Sequence, residues 1–163
     1  MAEWRGIAHC AEQTESIGAA LAATLPAITA APAAVYLQGE LGAGKTTLAR
    51  GFLRRLGVTA PVRSPTYTLL ECYELADRVV VHLDLYRLRD ASELEMLGVR
   101  ELARAQHLWL IEWPERAHAR LPAADLSVRL EVGAAGHAVA LTGQSQLGSA
   151  WLARTVEILP RSS

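Results

Sequence analysis

Asparagine is absent from this 163-residue chain, and lysine and phenylalanine occur once each. Fifteen arginines accompany the single lysine, Lys45, which indicates a coding bias that replaces lysine by arginine wherever a site tolerates it. A compact ammonium group and a planar guanidinium group are not interchangeable where a loop must close tightly around a ligand. Lys45 is therefore expected at a position where arginine cannot serve.

Cysteine and net charge are also scarce. Two cysteines, Cys10 and Cys72, are too few for a disulfide framework or a cysteine-based metal site. The formal net charge of −1 leaves no overall basic surface for direct, non-specific nucleic-acid binding. Hydrophobic residues make up 51% of the chain, and its length is close to that of one domain of ~150 residues. We expect one domain over 1–163, in a cytoplasmic enzyme or enzyme subunit.

One long stretch, residues 16–39, carries no charged side chain and is long enough in principle to cross a bilayer. It is mostly alanine, however, and Pro26 and Pro32 would break a helix through it. The residues before it are acidic overall, whereas a signal peptide begins with a basic region. We expect no membrane association.

Apolar periodicity predicts alternating strands and helices. In chain order these are a helix over 14–25, a strand over 34–37, a helix over 45–56, hairpin strands over 67–74 and 78–86, a helix over 91–105, a strand over 107–111, a short helix from 114, strands over 125–132 and 137–142, and a helical extension within 143–163. This order favours a three-layer α/β fold, with a mainly parallel sheet and antiparallel hairpin additions.

The clearest motif is GELGAGKT at residues 39–46, which fits G-x-x-x-x-G-K-[ST] between a predicted strand and a predicted helix. Its glycines allow successive backbone N–H groups to face one concavity, and the helix N-terminus adds partial positive charge. Lys45 would bridge the β- and γ-phosphates, Thr46 would ligate Mg²⁺, and Thr47 would reach the α-phosphate. The predicted nucleotide-binding residues are Gly39, Glu40, Leu41, Gly42, Ala43, Gly44, Lys45, Thr46 and Thr47.

Two apolar strands end in carboxylates that could complete this site, Asp84 and Glu112. A carboxylate at the end of a buried strand is costly unless it is paired or metal-bound, although either could also be a surface acid. We favour Glu112 beside the metal and Asp84 positioning water or the neighbouring loop. Period-two alternation places His82 and Tyr86 on the same strand face as Asp84.

Adenine is the favoured base, because the guanine-reading sequence N-K-x-D cannot occur in a chain without asparagine. The segment RSPTYT at residues 63–68 offers hydroxyl groups and a cation where a γ-phosphate sensor would lie. A strand-entry turn with a solvated arginine explains the same residues equally well.

Four segments in this order resemble the TsaE family: GELGAGKTTLARGFLRRLG from Gly39, VRSPTYTL from Val62, HLDLYRL from His82 and IEWPER from Ile111. The helical segment ELEMLGVRE from Glu93 matches as well. The phosphate-loop motif alone is common, but its combination with SPTYTL, HLDLYRL and EWP is specific. The resemblance runs from about residue 9 to 142 and leaves out the last twenty residues.

The resemblance implies a P-loop fold and a weak ATPase that uses ATP and Mg²⁺. It also implies a role beside the TsaB–TsaD transferase complex, which attaches threonylcarbamoyl to adenosine 37 of tRNA (t6A), so that tRNA is contacted only through that complex. By the same resemblance Asp84 is needed for hydrolysis, Glu112 assists the metal and Thr66 lies in a switch-like loop. Trp113 lies near the site or a partner surface, and the segments containing Glu12 and His137 lie close to the base.

Two other functions stay open. A small-molecule kinase would need an acceptor pocket and an arginine-bearing lid, for which Arg87 and Arg89 are the candidates. A non-hydrolysing nucleotide sensor would bind nucleotide and be read by a partner. The ATPase hypothesis differs from the sensor in requiring both Asp84 and Glu112 for turnover.

Overall fold

The computed structural model describes residues 2–161, apart from the side chain of His118. Its strands are β1 Glu3–Ala8, β2 Ala33–Gln38, β3 Leu70–Glu74, β4 Val79–Asp84, β5 His107–Glu112, β6 Leu126–Gly133 and β7 Gly136–Gly143. Its α-helices are α1 Ala11–Ala23, α2 Lys45–Arg55, α3 Ser92–Met96 and α4 Gln146–Val156. Short 3₁₀ turns lie at Val99–Leu102, Pro114–Arg116 and His118–Arg120.

The strands form one sheet in the order β1-β7-β6-β2-β5-β4-β3. The central strands β6, β2, β5 and β4 are parallel, whereas β3 joins β4 and the β7–β1 pair joins β6 in antiparallel fashion. The predicted α/β class, with a parallel sheet and antiparallel hairpin additions, is confirmed. Because β4 and β5 are parallel and Asp84 is in register with Glu112, both predicted acids lie at one edge of the sheet.

Apolar residues cover both faces of β2, β5 and β4, as expected for strands buried between layers. On one face, Val35 and Leu37 join the core beneath α1, α2 and α4. On the other face, Ala34 and Tyr36 join a second core beneath α3 and the 3₁₀ turns. This second layer is thin and covers the β2–β5–β4 half of the sheet. Over β6, β7 and β1 the same face is open and carries polar side chains such as Arg129.

Helices α1 and α2 pack at very short range because glycines lie at their contact. A Cβ atom on Gly18 would fall 2.1 Å from the carbonyl oxygen of Leu48, and one on Gly51 would fall 2.0 Å from that of Glu15. These distances are far below van der Waals contact, so no larger residue fits without moving a backbone. The contact fixes α2, whose first residue is Lys45, against the body of the protein.

The sequence patterns missed one strand and predicted one helix wrongly. The first strand, β1, was not predicted, because it is an edge strand with weak alternation whose inward side includes Gly6. The helix predicted over 91–105 is interrupted, because Gly98 adopts the left-handed region (φ +70°) and separates α3 from the following 3₁₀ turn.

The predicted C-terminal helix is present as α4 and packs on the first core. Trp151 and Leu152 are fully buried, and Trp151 Nε1 donates a hydrogen bond to the carbonyl oxygen of Leu21 (3.0 Å). The charge-free stretch 16–39 is divided between α1, a loop and β2. Within residues 2–161, no helix has the length and apolarity needed to span a membrane.

Candidate nucleotide-binding site

The loop between β2 and α2 curls around an open concavity, and its glycines make this shape possible. Gly42 and Gly44 have φ values of +79° and +105°, which side-chain-bearing residues rarely adopt. A Cβ atom on Gly39 would fall 2.4 Å from the carbonyl oxygen of Leu130, so the loop also approaches β6 too closely for any other residue. The backbone is thereby shaped as the sequence motif predicts for a phosphate-binding loop.

Lys45 lies inside this loop and is only 5% exposed. Its Nζ donates hydrogen bonds to the carbonyl oxygens of Gly39 (2.6 Å) and Glu40 (2.8 Å), and it lies 4.3 Å from the ring centroid of Trp113. Burial lowers the pKa of Lys45, and the nearby carboxylates, Glu112 foremost, oppose that shift. A compact cation is thus held at the floor of the concavity.

Thr46, the first residue after that lysine, contacts the carboxylate at the end of β5. Its Oγ1 donates to Oε1 and Oε2 of Glu112 at 2.9 and 3.1 Å. Glu112 is 2% exposed and also accepts a hydrogen bond from Nε2 of the fully buried His82 (2.7 Å). The two residues predicted to hold a metal are therefore in direct contact, with an additional histidine behind them.

Asp84, at the end of β4, is bound to the loop that follows α2. One of its oxygens accepts a hydrogen bond from the Ser64 hydroxyl, and the other accepts one from the backbone N–H of Tyr86 (3.0 Å). The Thr66 hydroxyl donates in turn to Ser64 (3.1 Å). The predicted switch-like loop is thus connected to the predicted hydrolytic acid through hydroxyl groups.

These groups line one cavity of about 390 Å³. The predicted residues in its wall are Leu41, Gly42, Gly44, Lys45, Thr46, Thr47, Thr66, Asp84, Glu112 and Trp113. Ser64, Tyr86 and Arg87 complete the wall. The other predicted loop residues, Gly39, Glu40 and Ala43, do not line it but take part through carbonyl oxygens that accept hydrogen bonds from Lys45 and His137.

A second cavity, of about 440 Å³, lies on the other side of the same loop. Gly42, Gly44 and Thr47 contribute to both cavities, so the two adjoin across the loop. His137 lines the second cavity, and its Nδ1 donates to the carbonyl oxygen of Ala43 (2.7 Å). The carbonyl oxygen can only accept, so Nδ1 carries the proton. Of the two residues that the resemblance expects near the base, His137 lines this cavity.

Glu12 is not brought into either cavity wall, although its neighbour Ala11 lines the second one. Its side chain is exposed at the first turn of α1. Hydrogen bonds from its own backbone and from the Cys10 side chain lower the pKa of Glu12. Near the start of α1 the cavity wall therefore contains Cys10, Ala11 and Thr14, and not Glu12.

Sequence reasoning gave no role to His82. It included Ser64 only within the candidate γ-phosphate-sensing segment 63–68 and named Arg87 only as a lid candidate for a kinase. A signal for His82 was present, since strand alternation puts it on the same face as Asp84. Its contact with Glu112 depends on the pairing of β4 with β5, which no local pattern specifies. The position of Arg87 depends on the path of the loop after β4, which carries no periodic signal at all.

Fold and site together define an α/β protein with a mainly parallel sheet and a glycine-rich loop that leads from β2 into α2. The family model for the "Threonylcarbamoyl adenosine biosynthesis protein TsaE" matches residues 8–143, and the chain belongs to the TsaE family. The resemblance stated from the sequence segments is thus confirmed. The family's members act in biosynthesis of tRNA threonylcarbamoyladenosine, and that is the biological process to which this chain is assigned.

Individual relatives agree with this assignment. The chain is 46% identical to the tRNA threonylcarbamoyladenosine biosynthesis protein TsaE of Haemophilus influenzae, over 70% of this chain and 72% of that protein. It is 38% identical to the Bacillus subtilis protein of the same name, over 77% and 75% of the two chains. The crystal structure of Bacillus subtilis YdiB superposes with a TM-score of 0.76 at 25% identity, covering 96% of this chain and 94% of that one.

Proposed function

We propose that this protein binds ATP with Mg²⁺ at the loop between β2 and α2, hydrolyses it slowly, and thereby supports t6A modification of tRNA by a TsaB–TsaD transferase complex in the cytoplasm. The observation that carries the proposal is the contact of the Thr46 hydroxyl with the Glu112 carboxylate beside the buried cation of Lys45. These three groups converge at the N-terminus of α2, where backbone N–H groups favour an anion.

Phosphate binding needs a cation and free N–H groups around a concave surface. Lys45 supplies the cation and the first turn of α2 supplies N–H groups without intrahelical partners. In the described structure the Lys45 ammonium interacts with two carbonyl oxygens of its own loop, which keep it pointing into the concavity. Binding of a triphosphate would offer it stronger, negatively charged acceptors.

The residues present fit a magnesium ion. Mg²⁺ prefers oxygen ligands and keeps several water and phosphate oxygens, so one hydroxyl and one carboxylate are a sufficient protein contribution. Within residues 2–161, no group of three His, Cys, Asp or Glu side chains is arranged to hold a metal by itself. Thr46 and Glu112 would hold the ion, which would supply charge neutralisation to the β- and γ-phosphate oxygens.

Asp84 is the residue we assign to the attacking water. Its carboxylate is 5% exposed, belongs to the cavity wall and is in register with Glu112 on the neighbouring strand. Hydrogen bonds from Ser64 and from the backbone of Tyr86 fix its orientation. A fixed carboxylate can accept a hydrogen bond from water and align it with the γ-phosphorus, a positioning role known in phosphoryl transfer.

The second cavity is proposed to take the adenine base. It adjoins the first cavity through Thr47 and two glycines, which supports a nucleoside following the α-phosphate into it. The hydrogen bond from His137 to Ala43 holds the β6–β7 turn against the loop and so maintains the cavity. The formal net charge of −1 supports contact with tRNA through the protein partner.

The test is reconstitution of t6A formation from purified components, with nucleoside analysis of the tRNA product. We expect t6A with the wild-type protein and none above background with Lys45→Ala, whereas Arg55→Ala, an exposed change on α2, keeps full yield. The fate of the γ-phosphate is followed in parallel. Inorganic phosphate supports the ATPase, a phosphorylated metabolite would establish the kinase alternative, and t6A formation without phosphate release would establish the sensor.

A further inference from the structure

Arg87 is a cavity residue to which the proposed function gives no role. The wall of the phosphate cavity contains two cations, Lys45 and Arg87, and two carboxylates, Asp84 and Glu112. Among the described residues no carboxylate lies within 4.0 Å of Arg87, although five of the other arginines form such ion pairs. Its guanidinium carbon instead lies 4.5 Å from the ring centroid of Tyr67.

The contact with Tyr67 is a weak one. The Tyr67 residue is 83% exposed, so its ring and the guanidinium group of Arg87 meet in water, where a cation–π contact contributes little. An arginine held only in this way can turn towards a stronger acceptor at small cost. Phosphate oxygens are such an acceptor, because the planar guanidinium can donate two parallel hydrogen bonds to them.

Charge balance shows what such a movement would achieve. The two cations and two carboxylates of the wall cancel formally, so without Arg87 the wall would present one excess negative charge to the incoming phosphates. ATP brings one more charged phosphoryl group than ADP, the terminal γ-phosphate. A second cation is therefore most valuable for the γ-phosphate.

The other cation, Lys45, is shared between the β- and γ-phosphates. Lys45 lies at the floor of the loop, bound to Gly39 and Glu40, where the β-phosphate is also reached. Arg87 follows β4 and lines the cavity together with Ser64 and Thr66 of the loop that approaches Asp84. The two cations thus belong to different parts of the wall, one to the phosphate-binding loop and one to the segment after β4.

We propose that Arg87 binds the γ-phosphate and sets the preference of this site for ATP over ADP, leaving the Tyr67 ring when ATP enters. This inference rests on the proposed binding of ATP at the same loop. It makes Arg87 a specificity-determining residue that touches the nucleotide. The movement of Arg87 also frees the Tyr67 ring, and only when ATP is bound. The surface around the cavity therefore differs between the ATP-bound and ADP-bound states.

The test compares the affinities of ADP and of a non-hydrolysable ATP analogue, each with Mg²⁺, by isothermal titration calorimetry. We expect Arg87→Ala to raise the dissociation constant of the ATP analogue about 10-fold or more and that of ADP less than about 2-fold. A loss of this size corresponds to one charge-assisted hydrogen bond to one phosphoryl group. Arg87→Lys should retain part of the preference. Arg89→Ala is the matched control, because it removes the same charge from an exposed residue outside the cavity wall.

Tyr67→Ser separates the proposal from a purely structural role. If Arg87 acts by contacting the phosphate, losing the Tyr67 ring leaves the preference for the ATP analogue intact. If Arg87 only holds the loop through Tyr67, Tyr67→Ser reproduces the selective loss, and the proposal is wrong. Equal weakening of both nucleotides in Arg87→Ala would also overturn it. Retained ADP binding shows that a variant is folded, and a wild type that binds neither nucleotide would refute the proposed function as well.

Discussion

His82 Nε2 lies 2.7 Å from Glu112 Oε2, and both side chains are buried. The same carboxylate also accepts a hydrogen bond from the hydroxyl group of Thr46, which lies on α2. Within residues 2–161, Nδ1 of His82 is buried without a hydrogen-bond partner, so this ring forms its one polar contact with Glu112. His82 thus orients the carboxylate that we assign to the metal, as second-layer donors commonly do around metal ligands.

A pair of substitutions tests this positioning role of His82. In His82→Gln the side-chain amide reaches the place of Nε2, whereas in His82→Asn it ends near Nδ1 and falls short of Glu112. The measured quantity is the Mg²⁺ concentration that gives half-maximal nucleotide affinity. We expect His82→Asn to raise it about 10-fold and His82→Gln to raise it far less. Loss of a hydrogen bond to a metal ligand typically lowers metal affinity about 10–100-fold. Equal effects of the two amides would contradict the assignment.

Lys45→Arg is expected to be nearly as damaging as Lys45→Ala. The residue is 5% exposed and its ammonium group lies between two carbonyl oxygens and the Trp113 ring. A planar guanidinium is too large for this position although it keeps the charge. Equilibrium dialysis with radiolabelled ATP measures the outcome. ATP binding by Lys45→Arg at the wild-type level would show that a positive charge alone suffices. It would also show that steric fit does not explain why the chain has a lysine at this position.

Glu112→Ala should impair Mg²⁺-dependent turnover more than nucleotide binding. The alanine leaves the loop and Lys45 in place, so phosphates still find their donors, but the Thr46 hydroxyl and the metal lose their shared carboxylate. We expect turnover to fall about 100-fold or more and ADP affinity without Mg²⁺ to change little, in line with losses at metal-assisted sites. Normal ATP turnover by Glu112→Ala would refute the metal assignment.

Gly51→Ala tests the packing that holds α2. Helix propensity alone predicts that this change stabilises the protein by about 1 kcal/mol. The added Cβ would lie 2.0 Å from the carbonyl oxygen of Glu15, so we expect a net loss of about 1–3 kcal/mol in the free energy of unfolding, the usual cost of overpacking. Urea denaturation gives the value, with the exposed Arg55→Ala as control. A more stable Gly51→Ala protein would contradict the close α1–α2 contact.

The parts of the site that the sequence predicts are those encoded locally. The loop over residues 39–46 is one contiguous motif, and Asp84 and Glu112 stand out because each ends a buried apolar strand. Parallel strands bring such ends to the same edge of a sheet, so their proximity followed from the predicted fold. Helix α2 and strand β5 are likewise predicted from the apolar pattern of their own residues.

What the sequence does not predict depends on contacts between distant segments. The pairing of His82 with Glu112 requires the register of β4 against β5, and the place of Arg87 requires the path of an irregular loop. The edge strand β1 is defined by its pairing with β7 and by little in its own residues. The interruption at Gly98 falls inside a helical pattern, where an isolated glycine is tolerated often enough to be a weak signal of a break.

The most direct test of the account is the rate of ATP hydrolysis by the purified protein, alone and with the TsaB–TsaD pair from the same source. We predict a slow basal rate that rises when the pair is added and is abolished by Lys45→Ala. A rate that is unaffected by the pair, but is stimulated by a small hydroxylated or phosphorylated metabolite, would contradict the account and establish a kinase.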